Sequence, residues 1–310
     1  MDSKMYQDIL AHKQQGIKDK LPFWEALAKK YKTNQEKLRS DFRREYMRKG
    51  DNLSHPLPKI VLMDIETLPI KAFTWGLWDQ NVGINQIIAD WTLLSWSAKQ
   101  LFDSHIISDI MTSKEAVERD DLRITQSLWK VVDDADIVIA HNGIGFDFRK
   151  MNTRFLVHEL MPPRRFEIID TLDVIKKNFG LSSNKLEFIA ELLVNDHKIK
   201  TDFELWRNCD AGDPTALAQM GTYNQHDVEV LEEVYLKIRP WIRNHPNLGA
   251  YSSEYQKTCN NCGSTNILAN GEYHTSANIY NSFRCGNCGA LMRGRKGILN
   301  NDKREILLRN

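Results

Sequence analysis

Lys59-Ile60-Val61-Leu62-Met63-Asp64-Ile65-Glu66-Thr67 follows a Pro-containing linker and turns from apolar to acidic within one short segment. The unbroken apolar run Ile60 to Met63 predicts a buried strand. Asp64 and Glu66 are two apart, so on a strand both project from one face. Two carboxylates side by side repel each other, and a divalent cation removes that cost; oxygen ligands on one face suit Mg²⁺ or Mn²⁺. Taken alone, the tripeptide is more simply a strand end with solvated acids or a helix cap.

Two further stretches change that balance. Asp136-Ile137-Val138-Ile139-Ala140-His141-Asn142-Gly143-Ile144-Gly145-Phe146-Asp147 reads as a second buried strand, ending in a Gly-rich turn that enters a helix. Tyr223-Asn224-Gln225-His226-Asp227 lies in a helical segment, where Tyr223 and Asp227, as i and i+4, share a face.

Asp64-x-Glu66, Asn142-x3-Phe146-Asp147 and Tyr223-x3-Asp227 resemble, in order and spacing, the three motifs of the DEDD 3′-5′ exonuclease superfamily. The Tyr points to the DEDDy branch, similar to the proofreading domain of B-family DNA polymerases. The DEDDh branch instead has a His one residue earlier, and Thr222 stands there. The resemblance covers roughly residues 58–240. It departs at Asn224, where the polymerase form usually has Cys. No polymerase-sized region follows, which predicts a stand-alone nuclease.

The resemblance implies a ribonuclease-H-like α/β fold with a mixed sheet flanked by helices. It also implies two catalytic divalent ions, Mg²⁺ or Mn²⁺, held by Asp64, Glu66, Asp147 and Asp227. Tyr223 would orient the attacking water, and Asn142 and Phe146 would line the substrate cleft. Asp170 reads as structural, because the four-carboxylate set is complete without it. His226 points elsewhere on its helix.

The chain has 310 residues, room for one large domain with small accessories. Hydrophobic residues make up 42%, an ordinary share for a soluble globular protein. No apolar run reaches the length of a membrane span, and Met1-Asp2-Ser3-Lys4 starts no signal-peptide core. These features predict a cytoplasmic protein with reduced thiols and no membrane partner. The net charge of +1 divides into +6 over residues 1–50, −9 over 51–250 and +4 over 251–310. An acidic middle suits a metal site but repels phosphate, and the basic ends would supply the missing attraction.

The expected domains are a helical, helix-turn-helix-like module at 1–50, a linker at 51–58, the ribonuclease-H-like exonuclease domain at 59–245, a zinc ribbon at 255–298 and a tail at 299–310. In the first module Phe23, Trp24, Leu27, Ala28 and Tyr31 recur at helical spacing. Thr33 or Asn34 would cap a second helix carrying Leu38, Phe42 and Tyr46, with Arg39, Arg43, Arg44 and Arg48 on its other sides. Past the first strand, Phe73, Trp75, Trp78 and Trp91 are mostly expected in the core, with base stacking the other use for aromatics near a nucleic-acid cleft. Strands are expected at 92–98, 105–111, 136–140 and 166–171, and helices at 122–132, 148–160, 181–193 and 215–238, the order βββαβαβα.

Cys259-x2-Cys262 and Cys285-x2-Cys288 are separated by 22 residues, and Gly263 and Gly289 follow the two pairs. Four thiolates at this spacing resemble a zinc ribbon, with one structural Zn²⁺ in a closed tetrahedral set. Arg284, Arg293, Arg295 and Lys296 make the ribbon basic, suited to nucleic acid or to a protein. Cys209 is left over as an inert thiol.

The leading reading is a metal-dependent 3′-5′ exonuclease whose partner is nucleic acid, DNA at its 3′ ends. Its rivals are an RNA-directed or structure-specific nuclease on the same site, and a nucleic-acid-binding adaptor with an inactive nuclease core.

Overall fold

The computed structural model describes residues 3–14, 21–34, 38, 58–194, 201–252 and 256–308. It divides into two compact units, Lys59–Tyr235 on one hand and Met1–Pro58 with Leu236–Asn310 on the other.

In the larger unit β1 (Ile60–Leu68), β4 (Thr92–Gln100), β5 (Ile106–Ile110), β6 (Ile137–Ala140) and β7 (Glu167–Asp170) form one sheet in the order β5-β4-β1-β6-β7. β4 is antiparallel to both β5 and β1, whereas β6 is parallel to both β1 and β7. All four residues of β6 are buried, as a parallel strand covered on both faces requires. The helices between them are α3 (Ser113–Glu118), α4 (Leu122–Asp133), α5 (Asp147–Val157), α6 (Thr171–Asn178), α7 (Leu186–Val194), α8 (Phe203–Asp210) and α9 (Pro214–Ile238). The sheet order and its flanking helices make this a ribonuclease-H-like α/β fold.

One core joins the sheet to α4 and α5: Met63, Ile65 and Trp96 pack with Leu128, Met151 and Phe155. α4 buries Ile124, Leu128 and Val132, one stripe at four-residue spacing. Beneath it Asp121 is fully buried and satisfied by Leu93 N (2.8 Å), Arg154 Nη2 (2.5 Å) and His158 Nε2 (2.6 Å). α9 is anchored to β4 by Lys99 Nζ and Glu232 Oε2, 2.6 Å apart and both 1% exposed. The other oxygen of Glu232 accepts from Phe102 N at 2.8 Å.

The aromatic stretch after β1 differs from expectation. Phe73, Trp75 and Trp78 are 74%, 96% and 83% exposed, so they are not core residues. β2 (Lys71–Ala72) pairs with β3 (Ile87–Ala89) outside the main sheet. The intervening loop is closed at its neck by Phe73 N to Gln86 O (3.0 Å) and Gln86 Nε2 to Phe73 O (2.9 Å). Those bonds fix the neck of the loop, and among the described residues its rings are left exposed. Trp91 is half-buried beneath Lys150 Nζ, 3.6 Å from its ring centroid. The helix expected over 181–193 is present from Leu186 as α7, and α6, which starts directly after β7 capped by the Asp170 side chain, is an additional helix.

In the second unit, α1 (Ser3–Gln14) was not apparent from the sequence, and α2 (Leu21–Lys30) contains the expected Trp24, Leu27 and Ala28. Tyr6, Ile9, Trp24, Leu27 and Leu38 form its cluster. Asp8 accepts from Lys30 Nζ (2.6 Å) and Tyr31 Oη (2.5 Å). Phe42, Tyr46 and the four arginines of the expected second helix, with linker residues 51–57, lie outside the described residues. Near the C-terminus β8 (Ile267–His274), β9 (Ile279–Cys285) and β10 (Leu291–Gly297) make an antiparallel sheet in the order β10-β9-β8, followed by the short α10 (Asn301–Glu305).

Candidate active site

β1 and α9 bring three acids together. Oxygens of Asp64, Glu66 and Asp227 all lie within 4.8 Å of one another. Strand alternation puts Asp64 and Glu66 on one face, opposite Ser97 and Ser95 of β4. The pairing register shifts between Glu66 and Thr67, the kind of irregularity that re-aims a strand end. All three acids are half-buried. An octahedral Mg²⁺ holds its oxygens at about 2.1 Å, hence about 3–4 Å from one another, so this spacing fits a divalent ion.

Asp147, the first residue of α5, is 2% exposed. Its Oδ1 accepts from Ile65 N at 3.1 Å, which places the carboxyl against β1 between the two acids of that strand. It stands outside the tight trio of oxygens. Burial holds Asp147 above the usual carboxylate range, opposed by hydrogen bonds from the Ile65 amide and its own. Asp64 is pushed well above that range, first by burial and then by the charges of Asp147, Asp227 and Glu66. That repulsion is what a bound cation would relieve.

Tyr223 is 5% exposed, with its ring edge-on to Trp206 at 6.2 Å. Its hydroxyl is hydrogen-bonded to Asp227. Burial, then the charges of Asp227 and Glu66, raise its pKa, so the phenol stays protonated and donates. Asn224, noted in the sequence only as a departure from the family pattern, is fully buried and donates from Nδ2 to Asp64 Oδ2 at 2.6 Å. A polar residue at an inward position of α9 was the signal for it.

Asn142 and Phe146 are not part of the carboxylate group. Asn142 is exposed with φ 65°, in the left-handed region that Asn tolerates better than most residues. Asp170 organises this turn: it accepts from Asn142 N (2.9 Å), Ile144 N (3.0 Å) and Leu172 N (3.0 Å). Phe146 is half-buried against the core, with Lys150 Nζ 5.8 Å from its ring. Cys209 is buried, and burial pushes its thiol up to about 12.

The second cluster is formed by Cys259, Cys262, Cys285 and Cys288, all buried. Sγ atoms of Cys259 and Cys288, and of Cys262 and Cys285, are 3.6 Å apart. A disulfide would need about 2.05 Å. Thiolates at about 2.3 Å around one tetrahedral ion stand about 3.8 Å apart, so the cluster fits a zinc ribbon.

The sheet, with three acids gathered at the end of β1 and on α9, has the ribonuclease-H-like form. Residues 92–239 match the family model described as RNase_H superfamily, a span that holds Asp147, Tyr223 and Asp227 and begins after β1. Among solved structures, the chain is similar to the family B DNA polymerase from the hyperthermophilic archaeon Pyrobaculum calidifontis. That polymerase is 14% identical with a TM-score of 0.44, over 59% of this chain and 25% of the polymerase chain. The chain thus spans about a quarter of that polymerase's length. A search of curated proteins finds no match. Among the described residues, no helix is long and apolar enough to cross a membrane.

Proposed function

We propose that the protein is a metal-dependent 3′-5′ exonuclease that hydrolyses phosphodiester bonds of DNA. The observation that carries this reading is the convergence of Asp64, Glu66 and Asp227 with the Tyr223 hydroxyl on Asp227. Asp64, Glu66, Asp147 and Asp227 would hold Mg²⁺ or Mn²⁺, which would supply activation of water and neutralisation of charge building on the phosphate.

The protein's own contribution is positional. Asn224 fixes the Asp64 carboxylate from α9, and the Ile65 amide fixes Asp147 from β1. Tyr223, kept protonated, offers a hydroxyl rather than a base, so it orients water and does not deprotonate it. Asn142 and Phe146, at the start of α5, are assigned to substrate contact. The ribbon's four cysteines are assigned one structural Zn²⁺.

The test offers single-stranded DNA, single-stranded RNA and duplex DNA, each labelled at either end, with Mn²⁺. A ladder on the 5′-labelled DNA, with only released mononucleotide from the 3′-labelled strand, supports the reading. Faster loss of RNA, or discrete internal cuts, moves the assignment to the RNA-directed or structure-specific alternatives. Binding without cleavage of any substrate would favour an adaptor.

A further inference from the structure

The C-terminal sheet has two unlike faces. On one, Ile267 lies opposite Cys285 and packs with Met292 against the four-cysteine cluster. On the other, strand register brings Tyr273 opposite Tyr280 and Arg293 opposite Ser282, with Arg284 two residues further along β9. Directly paired residues share a face, and so do residues two apart on a strand. The Arg293 guanidinium carbon is 4.1 Å from the Tyr280 ring centroid and 5.7 Å from that of Tyr273. Arg293 and Arg284 are exposed, and Tyr273 is 49% exposed. Between residues 267 and 297 there are four Lys or Arg and a single acid, Glu272.

We propose that this face, built on Tyr273, Tyr280, Arg284 and Arg293, is a binding site for single-stranded nucleic acid. A guanidinium stacked on a tyrosine turns its other flat side outward, where a base stacks on it, while its N–H edges reach phosphate. The Tyr273 ring offers a second stacking platform, and Arg284 adds charge for the backbone. Duplex bases are already stacked and withhold their flat faces, which selects unpaired strands. The charge excess on the sheet favours a polyanion over a protein partner of ordinary charge. The proposal does not depend on the nuclease reading, since it concerns binding without hydrolysis.

The test measures fluorescence anisotropy of a labelled oligothymidylate with the full chain, in buffer with no added Mg²⁺ or Mn²⁺ and no chelator. Tyr273→Ala and Arg293→Ala are expected to raise Kd about ten-fold or more each, and Tyr273→Phe to leave it within two-fold. Zinc content read alongside separates lost stacking from lost fold. If Tyr273→Ala loses zinc, Tyr273→Thr, which keeps strand preference, replaces it. Unchanged Kd in zinc-containing Ala or Thr variants would overturn the proposal. So would a Phe variant as weak as the Ala variant, or duplex bound as tightly as single strands.

Discussion

Asn224 on α9 donates to Asp64 on β1 at 2.6 Å, and its other amide atom accepts from Ser95 Oγ of β4 at 3.3 Å. One fully buried side chain therefore joins the helix that carries Tyr223 and Asp227 to the strand that carries Asp64 and Glu66. Asn224→Ala leaves the Asp64 oxygen without this donor and is expected to cost about 1–3 kcal/mol of stability. Asn224→Asp adds another carboxylate at the same spot, so its cost should be larger in chelator than in Mn²⁺. Urea denaturation with and without Mn²⁺ reads both effects; equal costs in the two buffers would contradict a cation there.

Lys99 of β4 and Glu232 of α9 form an ion pair in which each side chain is 1% exposed. Removing one partner strands the other charge in the core. Lys99→Met and Glu232→Leu are each expected to destabilise by about 3–5 kcal/mol. The double variant Lys99→Met/Glu232→Leu should recover much of that loss, because no buried charge remains. Chemical denaturation of the four proteins completes the cycle, and additive losses would contradict the pairing.

How far the site could be read from sequence follows from where each signal resides. Asp64 and Glu66 at strand spacing, Tyr223 and Asp227 at helical spacing, and paired cysteines are local patterns, and they carry the ribbon and most of the acidic centre. The five strands of the main sheet and helices α4, α5 and α9 were legible for the same reason, because each of these runs is bounded by turn residues. Asn224 to Asp64 and Lys99 to Glu232 span 160 and 133 residues, and no local pattern encodes such partners. Trp75 and Trp78 were misread because hydrophobicity does not say whether a second layer exists to cover a ring. α6 was missed because its start depends on Asp170, whose carboxylate serves the Asn142 turn as well as the helix cap.

His245 is 5% exposed, and burial pushes its imidazole down to about 4, with Arg239 adding to the depression against a hydrogen bond to Pro246 O. Above pH 6.5 the ring is neutral folded and unfolded, and contributes no pH dependence. Below that the unfolded chain takes up a proton that the folded chain refuses, so stability falls as pH drops from 6.5 toward 4. The loss from this one group is at most roughly 3 kcal/mol. Denaturation at a series of pH values should show a shallower slope in His245→Phe than in the wild type over that window.

The four-cysteine cluster predicts one zinc per chain by elemental analysis. Cys285→Ser should lose the metal and, with it, the ordered β8–β10 sheet, because Ile267, Met292 and Ala290 pack on the cluster that the metal would hold together. Full metal content in Cys285→Ser would contradict a closed four-thiolate site.

The most direct test of metal-dependent cleavage at the acidic centre uses 5′-labelled single-stranded DNA, followed over a Mn²⁺ titration for the wild type and for Asp227→Asn. Asn keeps the size of Asp227 and an oxygen for Tyr223 but removes the charge. The wild type is expected to shorten the strand from its 3′ end at a rate that rises with Mn²⁺ and falls to nothing in chelator, with a loss of at least about 10²-fold in Asp227→Asn. Equal cleavage by the two proteins, or cleavage that persists in chelator, would contradict that expectation.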